Sequence, residues 1–197
     1  MQILNARLSG YNGLQQVVID PHSILLAIRP MADAMLSTTG EPILDFQGDW
    51  LSPGGLDVQI NGGLGLAFPD LDDGQPKTME QLQAVCQLLW QQGVDGFLPT
   101  IVTSSTPQIQ RSLRAIATAI SHPPATPAAQ ILGVHLEGPC LNPAKRGAHP
   151  QEHLLPLTVE HIKRILGDDA AIVKVITLAP ELDSTGEVIP YLRSLGI

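Results

Sequence analysis

The sequence predicts an α/β protein in which a short β-rich segment precedes four strand–helix repeats. Residues 1–52 consist of short apolar runs separated by Gly, Asn, Pro and Ser, a pattern typical of strands joined by tight turns. In residues 53–197, apolar runs of strand length alternate with segments whose apolar residues recur every three or four positions. Successive βα units favour a parallel sheet with right-handed crossovers. We therefore expect a domain boundary at residue 52.

The N-terminal segment contains four predicted strands. They cover residues 1–8, 15–19, 24–28 and 43–46. Each run is rich in Ile, Leu or Val and is followed within two residues by Gly, Asp or Pro. These residues favour turns and interrupt strands, so each strand is predicted to be short.

The first strand–helix unit covers residues 56–92. Residues 56–60 form the predicted strand, and residues 78–92 show the apolar periodicity of a helix. Thr78 is the predicted N-cap, because Gln81 follows three residues later as in a capping box. Gly93 is suited to the position just after the helix, where a positive φ is common.

The second unit begins with a predicted strand over residues 97–102. Thr106 and Pro107 open its helix, since proline is tolerated in the first helical turn. The proline-rich residues 121–127 are expected to end that helix. Residues 131–136 then form the third predicted strand.

The last two helices carry clear start and stop signals. Thr158 is the predicted N-cap of the third helix and Gly167 its end. After a strand over residues 172–178, Ser184 and Glu187 fit a capping box that opens a fourth helix. A closed βα barrel needs about eight such units. The hydrophobic periodicity alone is therefore consistent with a small open sheet.

Composition and charge exclude several classes of function. Hydrophobic residues make up 44% of the 197-residue chain and charged residues 15%, as in a globular protein. The net charge of −8 argues against a nucleic-acid partner or an anionic membrane surface. No run approaches the ~20 apolar residues that span a bilayer, and the N-terminus lacks a signal-peptide pattern. Because 2 cysteines do not make a disulfide framework, we expect a cytoplasmic protein.

The strongest chemical signal is the run HLEGP at residues 135–139, followed by KRGAH at residues 145–149. Glu137 stands where an apolar strand ends, and His149 returns on the loop that follows. Ligands of α/β folds bind at the carboxyl ends of strands, so this pair is a plausible part of a metal-hydrolase site. The alternative is an ordinary solvent-exposed glutamate, which is the commoner state of that residue type.

Two side chains near Glu137 in the sequence are not favoured for a chemical role. His135 lies two residues before Glu137 and should face the same side of the strand. We expect a hydrogen-bonded buried histidine there, with a place beside a metal as the alternative. Cys140 has no partner base evident in the sequence, so a nucleophilic role is not favoured.

Four motifs together resemble those of the N-acetylglucosamine-6-phosphate deacetylases, a family of the amidohydrolase superfamily. They are LSPGGLDVQING at residues 51–62, GFLPT at 96–100, HLEGP with KRGAH at 135–149, and VITLAPE at 175–181. The resemblance implies an incomplete (β/α)8 TIM barrel of about four βα units in residues 53–197. It also implies that residues 1–52 are part of a small β-sandwich.

The resemblance implies a site as well as a fold. Glu137 corresponds to the family's carboxylate ligand of one divalent metal ion, Zn²⁺ or Fe²⁺ being the favoured ions. His149, at the end of the KRGAH run, corresponds to the histidine that contacts the substrate and polarises its acetamide carbonyl. Ala148 would contact the sugar through its backbone. In the family, two histidines are further metal ligands and an aspartate is catalytic. None of these three residues has a counterpart in these 197 residues.

Gln59 and Asn61 stand where many amidohydrolases carry His-x-His at the end of the first barrel strand. Amides are poor ligands for transition metals, which puts a second metal ion in doubt. The two side chains are therefore expected beside a single-metal site, with purely structural hydrogen bonding as an equal alternative.

The implied function is hydrolysis of N-acetylglucosamine 6-phosphate to glucosamine 6-phosphate and acetate. Two alternatives stay open. One is an inactive half-barrel, or a fragment that is active only with a complementary C-terminal half. The sequence is also compatible with a homo-oligomer. The other is a dihydroorotase-like ring-opening enzyme, against which the Gln59-Ile60-Asn61 sequence speaks.

Overall fold

A computed structural model describes residues 1–36, 40–124 and 126–197 of the chain. These residues form two compact units, Met1–Pro53 and Gly54–Ile197. None of the helices in the described ranges is long and apolar enough to cross a membrane.

The described residues of the N-terminal unit form a four-stranded sheet. Its strands are β1 (Gln2–Ala6), β2 (Gln15–Ile19), β3 (Leu25–Pro30) and β4 (Ile43–Asp45), arranged in the order β3-β2-β1-β4. The first three strands are antiparallel neighbours, and β4 runs parallel to β1. Ile3, Ala6 and Val17 are the buried centre of this unit. All four strands lie at the predicted positions, although β1 ends at Ala6, two residues earlier than expected.

In its described residues, the C-terminal unit contains seven strands and four α-helices. In chain order they are β5 (Gly55–Ile60), β6 (Gly62–Gly63), β7 (Leu66–Ala67), α1 (Pro76–Gln91), β8 (Val94–Val102), α2 (Thr106–Ser121), β9 (Gln130–Ile131), β10 (Val134–Glu137), α3 (Val159–Leu166), β11 (Val173–Thr177) and α4 (Val188–Ser194). The main sheet has the order β11-β10-β8-β5, with β9 beside β8, and all its pairs are parallel. Strands that follow one another along the chain are thus neighbours, as the βα repeats predict.

The predicted third strand is interrupted in the structure. Its first part, β9, pairs with the beginning of β8, and its second part, β10, pairs with the end of β8. Gly133 lies at the break with φ +149°, and a Cβ there would stand 2.6 Å from the backbone oxygen of Ile172. The break therefore reflects a close backbone approach that only glycine permits.

Thr78 was the predicted N-cap of the first helix, and this prediction is wrong. α1 begins at Pro76 and Gln75 occupies the cap position. Asp72 organises the preceding turn, since its side chain accepts a hydrogen bond from the Gly74 N–H at 2.9 Å. The turn chemistry of Asp72 places the helix start two residues earlier and leaves Thr78 buried within the first turn.

The other helix ends agree more closely with expectation. The Thr158 side chain accepts a hydrogen bond from the His161 N–H and caps α3, which ends at Leu166 with Gly167 as its C-cap. α2 begins at Thr106 as predicted and ends at Ser121; residue 125 of the proline-rich stretch lies outside the described residues. α4 begins at Val188, where the Asp183 carboxylate accepts from the Val188 N–H and replaces the expected capping box.

Candidate functional site

Glu137 is the last residue of β10, the strand that lies between β8 and β11. It pairs with Val102 on one side and with Thr177 on the other. Both neighbouring strands run parallel to β10, so the carboxyl ends of all three meet at this edge of the sheet. Glu137 thus stands where parallel α/β sheets place their ligand-binding groups.

The Glu137 carboxylate faces two other side chains. The Gln59 amide nitrogen donates a hydrogen bond to Oε2 at 3.2 Å. The Nε2 atom of His149 lies 3.6 Å from Oε1, and this pair is an ion pair when the ring is protonated. The Glu137 side chain is 20% exposed. The carboxylate is therefore not directed into bulk solvent, and the ordinary exposed glutamate considered above does not describe it.

His149 is held on the loop after β10 by contacts at its ring and its backbone. Its Nδ1 atom lies 2.9 Å from the Thr103 hydroxyl. Its carbonyl oxygen accepts a hydrogen bond of 2.6 Å from the Arg146 guanidinium. The loop is tied to the next strand's loop by Asn142, whose amide donates to the Glu181 carboxylate at 2.9 Å. The imidazole is therefore a positioned group beside Glu137.

His135 forms a hydrogen-bonded ladder across three strands. Its Nδ1 lies 3.2 Å from the Thr100 hydroxyl of β8 and its Nε2 lies 2.8 Å from the Thr177 hydroxyl of β11. The residue is 4% exposed, and burial lowers the pKa of its imidazole. Because both ring nitrogens have protein partners, His135 is the hydrogen-bonded core histidine that the sequence favoured.

Asn61 and Ala148 are less closely associated with this group. Both residues are exposed. The backbone oxygen of Asn61 accepts from the Phe68 N–H, and its side chain makes no hydrogen bond within the described ranges. The structure thus brings Gln59, Glu137 and His149 together, while Asn61 and Ala148 are exposed to solvent.

Cys140 is buried close to this site. Burial raises the pKa of its thiol to about 11, and its Sγ lies 3.6 Å from the Pro156 carbonyl oxygen. A thiol with this pKa is almost wholly protonated at neutral pH. The structure therefore supports a core role and not a nucleophilic one.

The donor atoms of this site fit a metal only in part. A carboxylate and an imidazole suit Zn²⁺ or Fe²⁺, but a catalytic site of this kind uses about three protein ligands. Within residues 1–36, 40–124 and 126–197, no group of three or more His, Cys, Asp or Glu side chains is placed to hold an ion. The described residues therefore supply part of a ligand set and do not complete one.

Sequence comparison identifies proteins that the chain resembles. The chain is 35% identical over 182 residues to N-acetylglucosamine-6-phosphate deacetylase from Bos taurus, a match that covers 91% of this chain and 41% of the bovine protein. The chain is related to the N-acetylglucosamine-6-phosphate deacetylases. It is also 36% identical over 159 residues to N-acetylgalactosamine-6-phosphate deacetylase from a Shewanella strain, covering 81% of this chain and 38% of that protein. No protein-family model matches the chain.

A solved deacetylase structure shows the same fold. The N-acetylglucosamine-6-phosphate deacetylase of Pasteurella multocida matches with a TM-score of 0.75 and 29% sequence identity, over 100% of this chain and 48% of that one. The α/β fold with its parallel sheet is therefore the deacetylase fold over the matched part. The chain spans between two fifths and half of the length of these deacetylases.

Proposed function

We propose that the chain carries the Glu137 and His149 part of an amide-hydrolase site that converts N-acetylglucosamine 6-phosphate and water to glucosamine 6-phosphate and acetate. The observation that supports this most directly is the placement of the Glu137 carboxylate, at a strand's carboxyl end, 3.6 Å from the His149 imidazole. The relatedness to deacetylases supplies the substrate class.

The proposed architecture is the first part of a (β/α)8 barrel in residues 53–197, preceded along the chain by a partial β-sandwich in residues 1–52. Four parallel strands in chain order, with a helix after each, are the arrangement from which such barrels are built. The small four-stranded sheet of the first unit supports the second assignment.

We assign Glu137 as one ligand of a single divalent ion, with zinc or iron favoured. Such an ion, once bound, makes water a better nucleophile towards an amide carbonyl. Gln59 supports a single-ion site, because its amide is a poor ligand and already donates to the Glu137 carboxylate. Gln59 then acts by holding the carboxylate in place, and the remaining ligands come from polypeptide outside these residues.

His149 would contact the substrate. Hydrolysis of the acetamide develops negative charge on its carbonyl oxygen, and a donor held in position lowers that barrier. The Nε2 atom is the ring nitrogen that faces the Glu137 carboxylate, so it is the atom that we assign to the carbonyl oxygen. Ala148, exposed beside His149, would approach the sugar through its backbone.

Both of the chain's cysteines are free thiols, which is typical of a cytoplasmic enzyme.

A Glu137→Gln substitution tests this assignment. It preserves the size of the side chain but removes the charge that a metal ligand needs, so metal-dependent deacetylation in the complete site should be abolished. Metal content by mass spectrometry and acetate release are the readouts. Glu160→Gln, on the exposed face of α3, is the matched control and should leave both unchanged. Retained metal and turnover in Glu137→Gln would remove Glu137 from the ligand set.

The 4-epimeric sugar phosphate is a second candidate substrate, because the chain matches an N-acetylgalactosamine-6-phosphate deacetylase at 36% identity. Parallel assays with the two sugar phosphates decide between them. The preferred substrate should show the higher kcat/KM. The alternative of an inactive half-barrel predicts that neither substrate is turned over, even after a complementary C-terminal half is added.

A further inference from the structure

We propose that Asn142 and Glu181 are positioning residues, which hold the loop that carries His149 against the loop that follows β11. The inference rests on the proposed function for its catalytic meaning, whereas its structural content rests on contacts within the chain. Asn142 lies between the HLEGP and KRGAH runs, and Glu181 is the last residue of the VITLAPE run. The proposed hydrolysis assigns a role to neither side chain.

The loops after β10 and β11 stay in contact beyond the ends of these strands. The Ala179 N–H donates a hydrogen bond to the Cys140 carbonyl oxygen at 2.9 Å. Two residues farther along both loops, the Asn142 amide donates to the Glu181 carboxylate, also at 2.9 Å. The first contact joins backbone to backbone, and the second is made by side chains alone. The side-chain bond therefore extends the contact between the loops towards the segment that carries His149.

The Asn142 side chain uses both ends of its amide. Its Oδ1 atom accepts a hydrogen bond from the Ala144 N–H at 3.0 Å and thereby caps the short turn Pro143–Lys145. Its Nδ2 atom is the donor to Glu181. The acceptor end thus holds the turn itself, while the donor end fastens that turn to the neighbouring loop.

Arg146 connects this turn to His149. It follows the turn directly as its C-cap, and its guanidinium donates to the His149 carbonyl oxygen at 2.6 Å. The His149 N–H in turn donates to the Arg146 carbonyl oxygen at 3.2 Å. A displacement of the turn is therefore passed to the His149 backbone, and a misplacement of about 1 Å is enough to cost ~10²-fold in rate.

The polarity of the bond between Asn142 and Glu181 can be reversed by substitution. The hydrogen bond from Asn142 lowers the pKa of the exposed Glu181 carboxyl, which is therefore ionised at neutral pH. Asn142→Asp keeps the acceptor for the Ala144 N–H but replaces the donor by a second negative charge, and two facing carboxylates repel each other. The double variant Asn142→Asp/Glu181→Gln restores a bond, because the new amide donates to the new carboxylate.

The N-terminal unit offers a matched control pair. The Asn5 amide donates to the Asp45 carboxylate at 2.8 Å and lowers the pKa of that carboxyl. Asn5 is half-buried and Asp45 is exposed, as are Asn142 and Glu181 respectively. Asn5→Asp therefore introduces the same repulsion in a unit that contributes no residue to the proposed site.

Amide hydrogen exchange of the 197-residue chain tests the structural content. In Asn142→Asp, the Lys145 and His149 N–H groups, which donate within the loop, should exchange about 2-fold to 5-fold faster. The double variant should restore wild-type exchange, and Asn5→Asp should leave both groups unchanged. Glu181→Ala, which removes the acceptor without adding charge, should show the same change even if Asn142→Asp does not fold. Unchanged exchange in Glu181→Ala would overturn the inference.

Kinetics of the complete site test the catalytic meaning. Asn142→Asp should lower kcat by ~10-fold, as expected when a group that orients a site residue is lost. The double variant should recover most of this loss, and Asn5→Asp should keep the wild-type kcat. Faster exchange without any effect on kcat, or a double variant that stays slow, would refute positioning for catalysis. Absence of deacetylation in the wild-type enzyme would refute the proposed function, while the exchange result would still decide whether the pair holds the loop.

Discussion

Glu137 differs from an ordinary surface glutamate because of what three separate segments place around it. The strand places its backbone at the sheet's edge, Gln59 arrives from β5, and His149 arrives from the loop after β10. A carboxylate with one amide donor and one imidazole nearby keeps lone pairs free for a further partner. This geometry is compatible with the proposed roles of Glu137 towards a cation and of His149 towards a substrate.

Removing the His149 ring should affect chemistry more than binding. We expect His149→Ala to lower kcat by ~10²-fold or more in the complete site, which is the loss expected for one donor to a developing oxyanion. The measurement is steady-state acetate release. His22→Ala, an exposed histidine of the N-terminal unit, is the control. An unchanged kcat in His149→Ala would remove this residue from the mechanism.

Gly138 offers a stability test of the same neighbourhood. Gly138→Ala forces a side chain into a positive φ of +83° and into the Thr103 hydroxyl. The backbone strain costs about 1–3 kcal/mol and the clash adds to it, so the free energy of unfolding should fall by about 3 kcal/mol. Gly186→Ala is matched, because Gly186 has φ +71° but nothing within 4 Å of a new Cβ. Equal losses in urea unfolding of the two variants would contradict the role of the close approach.

At the level of secondary structure, periodicity located the strands and helices well, but their ends depended on contacts that periodicity does not contain. The start of α1 is set by the side-chain hydrogen bonds of Asp72, and the break between β9 and β10 by the approach of Ile172 to Gly133. Neither Asp72 nor Gly133 stands out in a hydrophobic pattern. Their effects come from neighbours that the fold brings close.

The candidate site was also predicted only in part from the sequence. The rule that ligands gather at strand ends, together with the motif resemblance, was sufficient to single out Glu137 and His149. The three threonines that hold the histidines were missed, although Thr100 and Thr177 lie inside motifs already noted. The parallel register of β10 and β11 places Thr177 beside Glu137. The sequence alone does not reveal that hydroxyls of two neighbouring strands contact one histidine.

The N-cap residues of α3 and α2 allow a test of what each cap contributes to stability. Thr158 caps α3 with a hydrogen bond from the His161 N–H, whereas Ser105 occupies the N-cap position of α2 without such a bond. Thr158→Ala should therefore lower the free energy of unfolding by about 1 kcal/mol. Ser105→Ala should change it by less than about 0.5 kcal/mol. Denaturant unfolding followed by circular dichroism measures both, and a larger loss for Ser105→Ala would contradict the assignment of the caps.

For the molecule as a whole, the sheet of the C-terminal unit has two outer strands, β5 and β11, each with one neighbour in the described residues. Leu56 and Val58 on β5 are 67% and 58% exposed. Exposed apolar side chains on an edge strand favour association with further polypeptide. The deacetylases to which the chain is related are more than twice as long as the part that it matches.

Metal binding should reveal how the site is completed. One carboxylate with a neighbouring imidazole is too small a ligand set for tight binding of zinc, so the 197-residue chain alone should show no tight zinc site by calorimetry and no acetate release. On the proposed function, addition of a polypeptide comprising the unmatched part of the Pasteurella multocida deacetylase should produce both, because the proposal assigns the remaining ligands to polypeptide outside these residues. Glu137→Gln in the same mixture should still associate but should bind no metal. Deacetylation by the unaided chain would show instead that these residues hold a complete site.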